Sequence, residues 1–308
     1  MLIVRGCKPG RDADRGCVVA IGNFDGLHLG HQAILAVLQE RGREARLPTA
    51  VLGFEPHPRE FLAPAEAPAR LMRLRDQAER LAGIGISQLR VLRFNAELSR
   101  WDAGTFIERV LVAALGAKRV VIGQGFRFGR GRGGDVALLR REGAACGFAV
   151  DEVPPHRIGG SPASSTRVRQ ALAAGRLDEA KMLLGRDYRI SGRVIAGQRL
   201  GRQLGFPTAN IRLHRRVSPV AGIFAVRITG AGVTAHPGVA SVGTRPTVGG
   251  KEWLLEAHLF DFSGDLYRQR LDVDFVARLR DEIQYRDLGA MTAQMRDDAR
   301  AARQLLNA

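Results

Sequence analysis

Short apolar segments alternate with helical segments through the first half of the chain, and this alternation constrains the fold most. Cys17–Ile21 and Thr49–Phe54 contain no charged residue, which is typical of strands buried on both faces of a sheet. Helical spacing follows from about His28 to Glu40 and again over Arg75–Ile84. Strands that alternate with helices predict a parallel sheet with crossover helices. We therefore expect an α/β domain in the first half.

The pattern changes after about residue 165. Two helical segments, Arg167–Ala174 and Leu177–Leu184, are followed by short segments that Gly, Pro and Asn separate. This spacing predicts an antiparallel barrel or sandwich, with strands at Tyr188–Ile195, Gly222–Thr229, His236–Val242, Leu254–Leu259 and Arg270–Phe275. Met291–Leu306 is expected to be a final helix. We place the domain boundary so that the domains span residues 1–184 and 185–308.

Composition limits the classes of protein and of partner. The chain has 308 residues and carries 47 Lys and Arg against 31 Asp and Glu, a net charge of +16. Such a charge favours anionic partners, among them nucleic acid, anionic lipid and nucleotide phosphates. The apolar runs are far shorter than the ~20 residues of a membrane helix, and the three cysteines show no CxxC spacing. We expect a soluble cytoplasmic protein with no membrane partner.

The string Gly22–His31 (GNFDGLHLGH) directly follows the first predicted strand and opens the first predicted helix. Ligands of open α/β sheets bind beyond the carboxyl ends of strands, and a helix N-terminus attracts anions. His28 and His31 lie in one helical turn, where two imidazoles could stabilise charge on a triphosphate. The simpler alternative is two surface histidines near a glycine turn. It accounts poorly for their location at the end of a strand and the start of a helix. We expect catalytic roles for these histidines, and phosphate contacts from Gly22, Asn23, Phe24, Gly26 and Gly30.

The tetrapeptide His28–His31 (HLGH) resembles the HxGH signature of the nucleotidyltransferase superfamily. The fuller string GNFDGLHLGHQ resembles one branch of it, the bacterial bifunctional riboflavin kinase/FMN adenylyltransferases, or FAD synthetases. The resemblance implies a Rossmann-like nucleotidyltransferase domain in which the α-phosphate of ATP is attacked directly. Catalysis there depends on positioning and charge stabilisation rather than on proton transfer.

Two later segments resemble the same family. Phe54–Pro58 (FEPHP) is similar to its FxPHP turn, which implies that His57 lies near the ATP phosphates. Ser164–Arg169 (SSTRVR) is similar to its SSTxIR segment at the start of a helix. Hydroxyl groups and arginine forks bind phosphate well, and the resemblance implies such contacts from Ser165, Thr166 and Arg169.

A third segment, Gly123–Gly129 (GQGFRFG), resembles the GxDFRFG loop of the family. It implies that the flavin is contacted by Phe126, Arg127 and Phe128. Gly125 stands where the family usually has Asp or Asn, so a side-chain contact to the flavin is lost or supplied elsewhere. The run Phe128–Gly134 (FGRGRGG) also has the Arg–Gly composition of segments that bind single-stranded RNA. We favour a phosphate-binding loop.

The segment Gly197–Asn210 (GQRLGRQLGFPTAN) combines glycines and basic residues with a PTAN tetrapeptide. Glycine backbone can wrap a phosphate, and we expect this of Gly201 and Gly205. Thr208 and Asn210 offer two neutral oxygens to a hard cation such as Mg²⁺. An ordinary turn is the alternative, because Phe-Pro followed by Asn is common turn chemistry. In this context PTAN closely resembles the riboflavin kinase signature.

Two further segments of the second half are similar to riboflavin kinases. Leu255–Asp261 (LEAHLFD) resembles LEVHLFDF, whose glutamate is the general base. This implies that Glu256 assists attack of the ribityl 5′-hydroxyl on the γ-phosphate of ATP. Arg280–Tyr285 (RDEIQY) resembles the RxExxF segment and implies a contact from Arg280 to the flavin phosphate. A solvated arginine at a helix start is an equally good interpretation of Arg280.

The resemblance spans about residues 15–290 and includes both modules in the family's order. It implies a Rossmann-like domain followed by a small antiparallel β-barrel, with riboflavin, FMN, FAD and ATP as substrates or products and Mg²⁺ as cofactor. Ser241 replaces the usual Asn of the GVANIGxRPT segment, and Gly125 is a second departure. One alternative is therefore that a single module is active. Another is an RNA-binding protein of the HxGH superfamily, although we expect small-molecule substrates and no nucleic acid partner.

Overall fold

The computed structural model describes residues 1–8, 16–197, 201, 204–247 and 250–308. Close packing divides the chain into two compact units. The first consists of Met1–Pro68 and Arg73–Ser164, and the second of Ala69–Met72 and Ser165–Ala308. The helices between residues 165 and 184 group with the second unit by this criterion, whereas the sequence-based boundary places them at the end of the first domain.

A six-stranded parallel sheet forms the centre of the first unit. Its strands are β1 (Leu2–Arg5), β2 (Cys17–Ile21), β3 (Thr49–Glu55), β4 (Gln88–Arg93), β5 (Ala117–Gly123) and β6 (Ala149–Val153). They lie in the order β1-β4-β3-β2-β5-β6, and each neighbouring pair is parallel. The predicted α/β fold is thereby confirmed. Because β2 lies between β3 and β5, the turns that follow these strands share one edge of the sheet.

The central strands are buried on both faces, as their apolar sequences predict. Val18–Ala20 of β2 and Ala50–Leu52 of β3 have no exposed surface, and successive side chains of a strand point to opposite faces. The buried Arg90 of β4 could not be foreseen from the sequence. Its guanidinium donates to three backbone carbonyl oxygens, at 3.0, 2.7 and 3.1 Å, which belong to Gly6, Lys8 and Ala114.

Helices connect the strands of the first unit. They are α1 (Leu29–Ala45), α2 (Pro58–Leu62), α3 (Leu74–Ile84), α4 (Ala96–Arg100), α5 (Ala103–Phe106) and α6 (Val136–Cys146). Helix α5 continues as a π-helix over Ile107–Ala114. Two 3₁₀ turns, Pro64–Glu66 and Arg130–Arg132, and a small hairpin of β7 (Arg157–Ile158) and β8 (Ser161–Pro162) complete the unit.

A closed antiparallel barrel dominates the second unit. The unit begins with α7 (Ser165–Ala173) and α8 (Leu177–Leu184), continues with the strands, and ends with α9 (Leu288–Leu306). The strands are β9 (Tyr188–Ile195), β10 (Ala209–Arg212), β11 (Gly222–Gly230), β12 (Val233–Thr247), β13 (Gly250–Leu259) and β14 (Arg270–Arg280). They close in the order β10-β13-β12-β11-β14-β9. Of the two antiparallel architectures that the sequence allows, the barrel is the one present.

The last helix packs on the outside of the barrel. Ala302 and Leu306 of α9 are fully buried in one apolar cluster with Ala225 of β11 and Phe260, which follows β13. The Arg227 guanidinium also donates to the carbonyl oxygen of Leu306 at 3.0 Å. This packing holds α9 against β11, so that its other residues reach the cavity described below.

Candidate active sites

The turn between β2 and α1 has the tight backbone that its glycines predict. Gly26 adopts φ +86°, and Phe24 and Leu27 adopt φ +49° and +45°. Left-handed backbone is uncommon for residues with side chains, and burial of both side chains holds them in it. The Gln77 amide donates to the carbonyl oxygen of Asn23 at 2.8 Å. The turn is therefore fixed where the helix begins.

His28 and His31 stand together in the first turn of α1. Their rings stack with centroids 3.7 Å apart. His28 is the N-cap of the helix, because its Nδ1 accepts a hydrogen bond from the backbone N–H of His31 at 3.3 Å. A ring nitrogen that accepts carries no proton, so the neutral ring has its N–H at Nε2. At Gly30, a Cβ would lie 2.9 Å from the carbonyl oxygen of Ala163, and glycine allows that approach.

His57 has the same arrangement beyond the end of β3. Its Nδ1 accepts from the backbone N–H of Arg59 at 3.2 Å, and the Glu60 carboxylate accepts from the backbone N–H of His57 at 3.0 Å. His57 thus caps α2 within a capping box, and its neutral ring also has the N–H at Nε2. Ile21 of β2 pairs with Leu52 of β3, so both capped helices start from the same edge of the sheet.

The loop after β5 contains one of the two departures, Gly125, and the residues of the predicted flavin contacts. Gly125 adopts φ +75°, and no atom lies within 4 Å of where its Cβ would be. Asn and Asp enter left-handed backbone more readily than other non-glycine residues, so the conformation seen here suits glycine and also the Asp or Asn that the family usually has. Phe126 stacks on Phe128 with ring centroids 5.6 Å apart. Phe128 belongs to the core and is 8 % exposed, whereas Arg127 is exposed and lies 3.5 Å from Asp135.

The SSTRVR segment forms a helix start, as predicted. Ser165 and Thr166 are the first residues of α7. The Arg169 Nε donates to the carbonyl oxygen of Ala69 at 2.6 Å, which occupies one N–H of the guanidinium. Phosphate contacts from these three residues stay a prediction.

A cavity of about 720 Å³ lies in the second unit, a size typical of sites for small molecules. The lining combines residues from the β9–β10 connection, from β10, β12 and β13, and from α9. Five of the residues predicted from sequence are brought together in it: Gly201, Thr208, Asn210, Glu256 and Arg280. Gly205 lies outside this lining and adopts φ +83°.

Glycine is required on one side of the cavity by close approach. A Cβ at Gly201 would collide with the backbone carbonyl oxygen of Phe206, whose own N–H donates to the Gly201 carbonyl at 2.7 Å. A Cβ at Gly197 would lie 2.5 Å from Nδ2 of Asn210. His258 supports the same turn, since its Nδ1 lies 2.9 Å from the carbonyl oxygen of Pro207. Burial lowers the pKa of His258, which favours its neutral form.

Three polar residues occupy one row across neighbouring strands. Glu256 of β13 is paired in register with Asn210 of β10 on one side and with Ser241 of β12 on the other. Directly opposite residues have their Cβ atoms about 5 Å apart. Asn210 is 7 % exposed, and its Nδ2 donates to the Thr208 carbonyl at 3.2 Å, which leaves Oδ1 as the acceptor. Ser241, where the family usually has Asn, therefore faces the carboxylate of the predicted base.

Charged side chains surround Glu256 in the cavity. Nη2 of Arg245 lies 2.5 Å from Oε2 of Glu256. Burial, and then the charge of Glu256, raise the pKa of Glu282. Arg212 lies 3.3 Å from Glu252 at the cavity wall. The family motif predicts Glu256 but not its neighbours Arg245 and Glu282, although both lie within the segments that resemble the family.

Arg280 makes a contact that differs from both interpretations of its sequence. Nε and Nη2 donate to the two carboxylate oxygens of Asp298 at 2.8 and 2.6 Å, and Nη1 donates to the carbonyl oxygen of Asp281 at 2.8 Å. The Asp298 carboxylate raises the pKa of Arg280. Arg280 is thus not a solvated arginine at a helix start. It joins the end of β14 to α9 while it lines the cavity, and a contact to flavin phosphate stays a prediction.

Among the described helices, none combines the length and the apolar character that crossing a membrane requires.

Comparisons with known proteins assign both units. The model of the FAD synthetase family matches residues 10–167, and that of the riboflavin kinase family matches residues 184–306. A bifunctional riboflavin kinase/FMN adenylyltransferase from Pseudomonas fluorescens is 47 % identical over 306 residues, which are 99 % of this chain and 98 % of that protein. The protein of the same name from Escherichia coli strain K12 is 45 % identical over 305 residues, which are 99 % of this chain and 97 % of that one.

The fold agrees with that of a solved structure. A protein from Streptococcus pneumoniae, described as a macrolide-efflux protein, superposes with a TM-score of 0.82 at 28 % identity, over 98 % of this chain and 99 % of that one. The family matches favour an enzyme over the RNA-binding alternative. The chain belongs to the family of bifunctional riboflavin kinases/FMN adenylyltransferases.

Proposed function

We propose that this chain phosphorylates riboflavin with ATP to give FMN, and then adenylylates FMN with ATP to give FAD and pyrophosphate. The observation that carries the proposal is that each family match contains a candidate site of its own. The histidine turn lies within residues 10–167, and the barrel cavity lies within residues 184–306. Two sites on one chain fit two successive transfers from ATP.

In the adenylyltransferase, the FMN phosphate would attack the α-phosphorus of ATP, forming one P–O bond while the bond to pyrophosphate breaks. Because a phosphate is already a nucleophile, the site's task is to position the reactants and to offset their charge. We assign this task to the Nε2–H groups of His28 and His57, to His31, and to the N-terminus of α1. The backbone around them would contact phosphate through Gly22, Asn23, Phe24, Gly26 and Gly30.

Further contacts in this reaction are proposed from the family resemblance together with the local structure. Phosphate would be bound at the start of α7 by Ser165, Thr166 and Arg169. The flavin would lie against the loop after β5, where we assign the contacts to Phe126, Arg127 and Phe128. Exposure favours the first two of these, since little of the Phe128 ring is accessible.

In the kinase, Glu256 would accept the proton of the ribityl 5′-hydroxyl as its oxygen attacks the γ-phosphorus of ATP. The bond between that phosphorus and the β-phosphate oxygen breaks, and ADP leaves. Gly201 and Gly205 would let the turn approach the phosphates. The position of Glu256 in the cavity, opposite Asn210, supports this assignment.

Asn210, which is opposite Glu256, and Thr208 in the same cavity fit a magnesium ion. Mg²⁺ binds oxygen ligands and keeps several of its sites for water and substrate phosphates, so two protein oxygens are enough. We propose that Thr208 and Asn210 hold the ion, and the orientation of the Asn210 amide supports this because its oxygen is the atom left to accept. Bound there, Mg²⁺ would offset charge on the transferred phosphate. Among the described residues, no group of three or more His, Cys, Asp or Glu forms a competing metal site.

We propose that the functional modules meet between residues 167 and 184, near the sequence-based boundary at 184. The family matches end and begin at these residues. We further propose a cytoplasmic location, which the free cysteines Cys7, Cys17 and Cys146 support because thiols persist in reducing compartments. Fractionation of the source cells would test the location.

Chromatography of the reaction products tests the function. Purified protein is incubated with riboflavin, ATP and Mg²⁺, and separately with FMN, ATP and Mg²⁺. FMN followed by FAD is expected. FMN without FAD would support the alternative of a single active module and would point to Gly125. Neither product from folded protein would refute the enzymatic function.

Two variants with matched controls test the separation of the sites. His28→Ala is expected to abolish FAD formation and to spare FMN formation, whereas Glu256→Ala is expected to do the reverse when FMN is supplied. His156→Ala, an exposed histidine of the same unit, and Asp297→Ala, an exposed carboxylate of α9 outside the cavity lining, are the controls and should retain both activities. Equal loss of both activities from either test variant would contradict separate sites.

A further inference from the structure

Arg245 is ion-paired with the carboxylate that we assign as the base. The distance between Nη2 of Arg245 and Oε2 of Glu256 is 2.5 Å, and both residues line the barrel cavity. The Glu256 side chain is 24 % exposed and that of Arg245 is 49 % exposed. The pair therefore lies on the cavity wall, and the arginine is the more exposed partner.

The other arginines of the cavity have different partners. Arg280 is held by Asp298 through two hydrogen bonds, and Arg212 lies beside Glu252. Glu282 brings a second carboxylate toward Glu256. Among these charged groups in the described part of the cavity, Arg245 is the arginine that forms an ion pair with Glu256.

This pairing occupies one oxygen of the base as long as it persists. A carboxylate oxygen that accepts a strong hydrogen bond from a guanidinium is occupied by it, and that oxygen is not available to the ribityl hydroxyl. A triphosphate offers the same guanidinium more negative charge and the fork geometry that arginine matches. The half-exposed Arg245 side chain has room to exchange one partner for the other.

We propose that Arg245 is a further phosphate-binding residue of the kinase site, and that it moves from Glu256 to the phosphates when the nucleotide binds. The proposal rests on the proposed kinase function. Departure of the guanidinium gives Oε2 of Glu256 to the ribityl hydroxyl. Oε2 is therefore available when the phosphate donor is present, whereas riboflavin that binds alone finds Oε2 occupied by Arg245.

Fluorescence of a single tryptophan measures nucleotide binding at the barrel. The chain has two tryptophans, Trp101 in the first unit and Trp253 on β13, paired in register with Thr244 beside Arg245. In a Trp101→Phe background, Trp253 reports on the barrel alone. The ligand is the β,γ-imido analogue of ATP with Mg²⁺, which binds without transfer. Calorimetry on the same variants is a second measurement: the adenylyltransferase site contributes the same heat to each variant, so the differences between variants report on the barrel.

The two partners are expected to have opposite effects. Arg245→Gln should weaken nucleotide binding about fivefold, and Arg245→Lys should restore part of it, because a half-exposed ion pair contributes up to ~1 kcal/mol. Glu256→Gln should tighten binding about threefold, since Arg245 no longer has to leave a carboxylate. In the Arg245→Gln background, Glu256→Gln should tighten binding less than it does with Arg245 present.

A simple electrostatic effect predicts a different double-mutant cycle. If Glu256 only repels the nucleotide, its neutralisation tightens binding at least as much without Arg245 as with it, and that result would overturn the proposal. Glu282→Gln is the control, because it removes a nearby carboxylate and leaves the Arg245–Glu256 pair in place. A folded protein whose barrel binds no nucleotide by either measurement would instead refute the kinase function itself.

Discussion

Replacement of Asp298 by alanine is expected to destabilise the barrel unit strongly. The carboxylate accepts two hydrogen bonds from Arg280 and one from the Gln294 amide at 3.1 Å, and its side chain is 8 % exposed while that of Arg280 is 19 % exposed. Asp298→Ala would leave the arginine mostly buried without its counter-ion. Breaking a buried pair costs about 3–5 kcal/mol. The contact of Arg280 with the Asp281 carbonyl remains, so we expect about 3 kcal/mol.

The assay must isolate the barrel, because a chain of two units does not unfold in one transition. Urea unfolding is followed by the fluorescence of Trp253 in the Trp101→Phe background. With a slope of about 2 kcal/mol per molar urea, a loss of 3 kcal/mol lowers the midpoint by about 1.5 M. The matched control is Asp297→Ala on the same helix, whose pair with Arg300 is largely exposed and contributes at most ~1 kcal/mol.

Equal midpoints for Asp298→Ala and Asp297→Ala would refute the reasoning, since burial would then not decide the energy of the pair. A double replacement refines the test. Arg280→Leu with Asp298→Leu removes both charges, and a well-packed apolar pair is often neutral or stabilising. The double variant is therefore expected to be more stable than Asp298→Ala alone.

Three further predictions follow from the local geometry. Gly125→Asn should retain FAD formation. Gly125→Val should slow it and lower the free energy of unfolding by about 1–2 kcal/mol, because φ +75° disfavours a branched side chain. Equal rates of FAD formation for both variants would contradict this. Gly201→Ala should slow FMN formation at least about tenfold, because its Cβ would displace the turn and a small displacement of site residues has an effect of that size. FAD formation from supplied FMN should stay unchanged in the product assay. At pH 8 a thiol reagent should label exposed Cys146 quickly but not Cys17, whose pKa burial raises to about 12; peptide mapping that finds rapid labelling of Cys17 would disprove its burial.

Strands with simple burial could be predicted closely from the sequence. Cys17–Ile21 and Tyr188–Ile195 begin and end where their apolar or alternating pattern does. Strands β1, β6 and β10 are among those absent from the prediction. Strands β1 and β6 are the edges of the sheet, where partial exposure leaves no clear pattern of hydrophobic residues. Strand β10 has four residues, which are too few to show an alternation of polar and apolar residues.

Strand β12 shows the limit of treating proline as a terminator. The predicted strand covers His236–Val242 and already includes Pro237, whereas the observed one extends over Val233–Thr247 and also includes Pro246. Proline lacks the backbone N–H donor but keeps its carbonyl oxygen as an acceptor. The pairing of β12 with β13 therefore continues in register to Thr247. Tertiary pairing here overrides a local signal.

The site residues that the sequence reveals are those whose chemistry lies within one motif. His28 and His31 share a helical turn, and Thr208 and Asn210 share a tetrapeptide. The pairing of Arg280 with Asp298 joins residues on different elements, 18 positions apart, and no spacing rule foresees it. The same holds for the Arg245–Glu256 pair, which depends on how β12 and β13 align.

Catalysis in the barrel depends on strand alignment, because Asn210, Glu256 and Ser241 form one row across three strands. Side chains alternate between the two faces of a strand, so a slip of β13 by one residue would turn Glu256 out of the cavity while most backbone hydrogen bonds re-form. Such a barrel would keep its secondary structure and lose its chemistry. Specific activity after refolding therefore counts the molecules whose strands are in register, a property that spectroscopic folding assays do not distinguish.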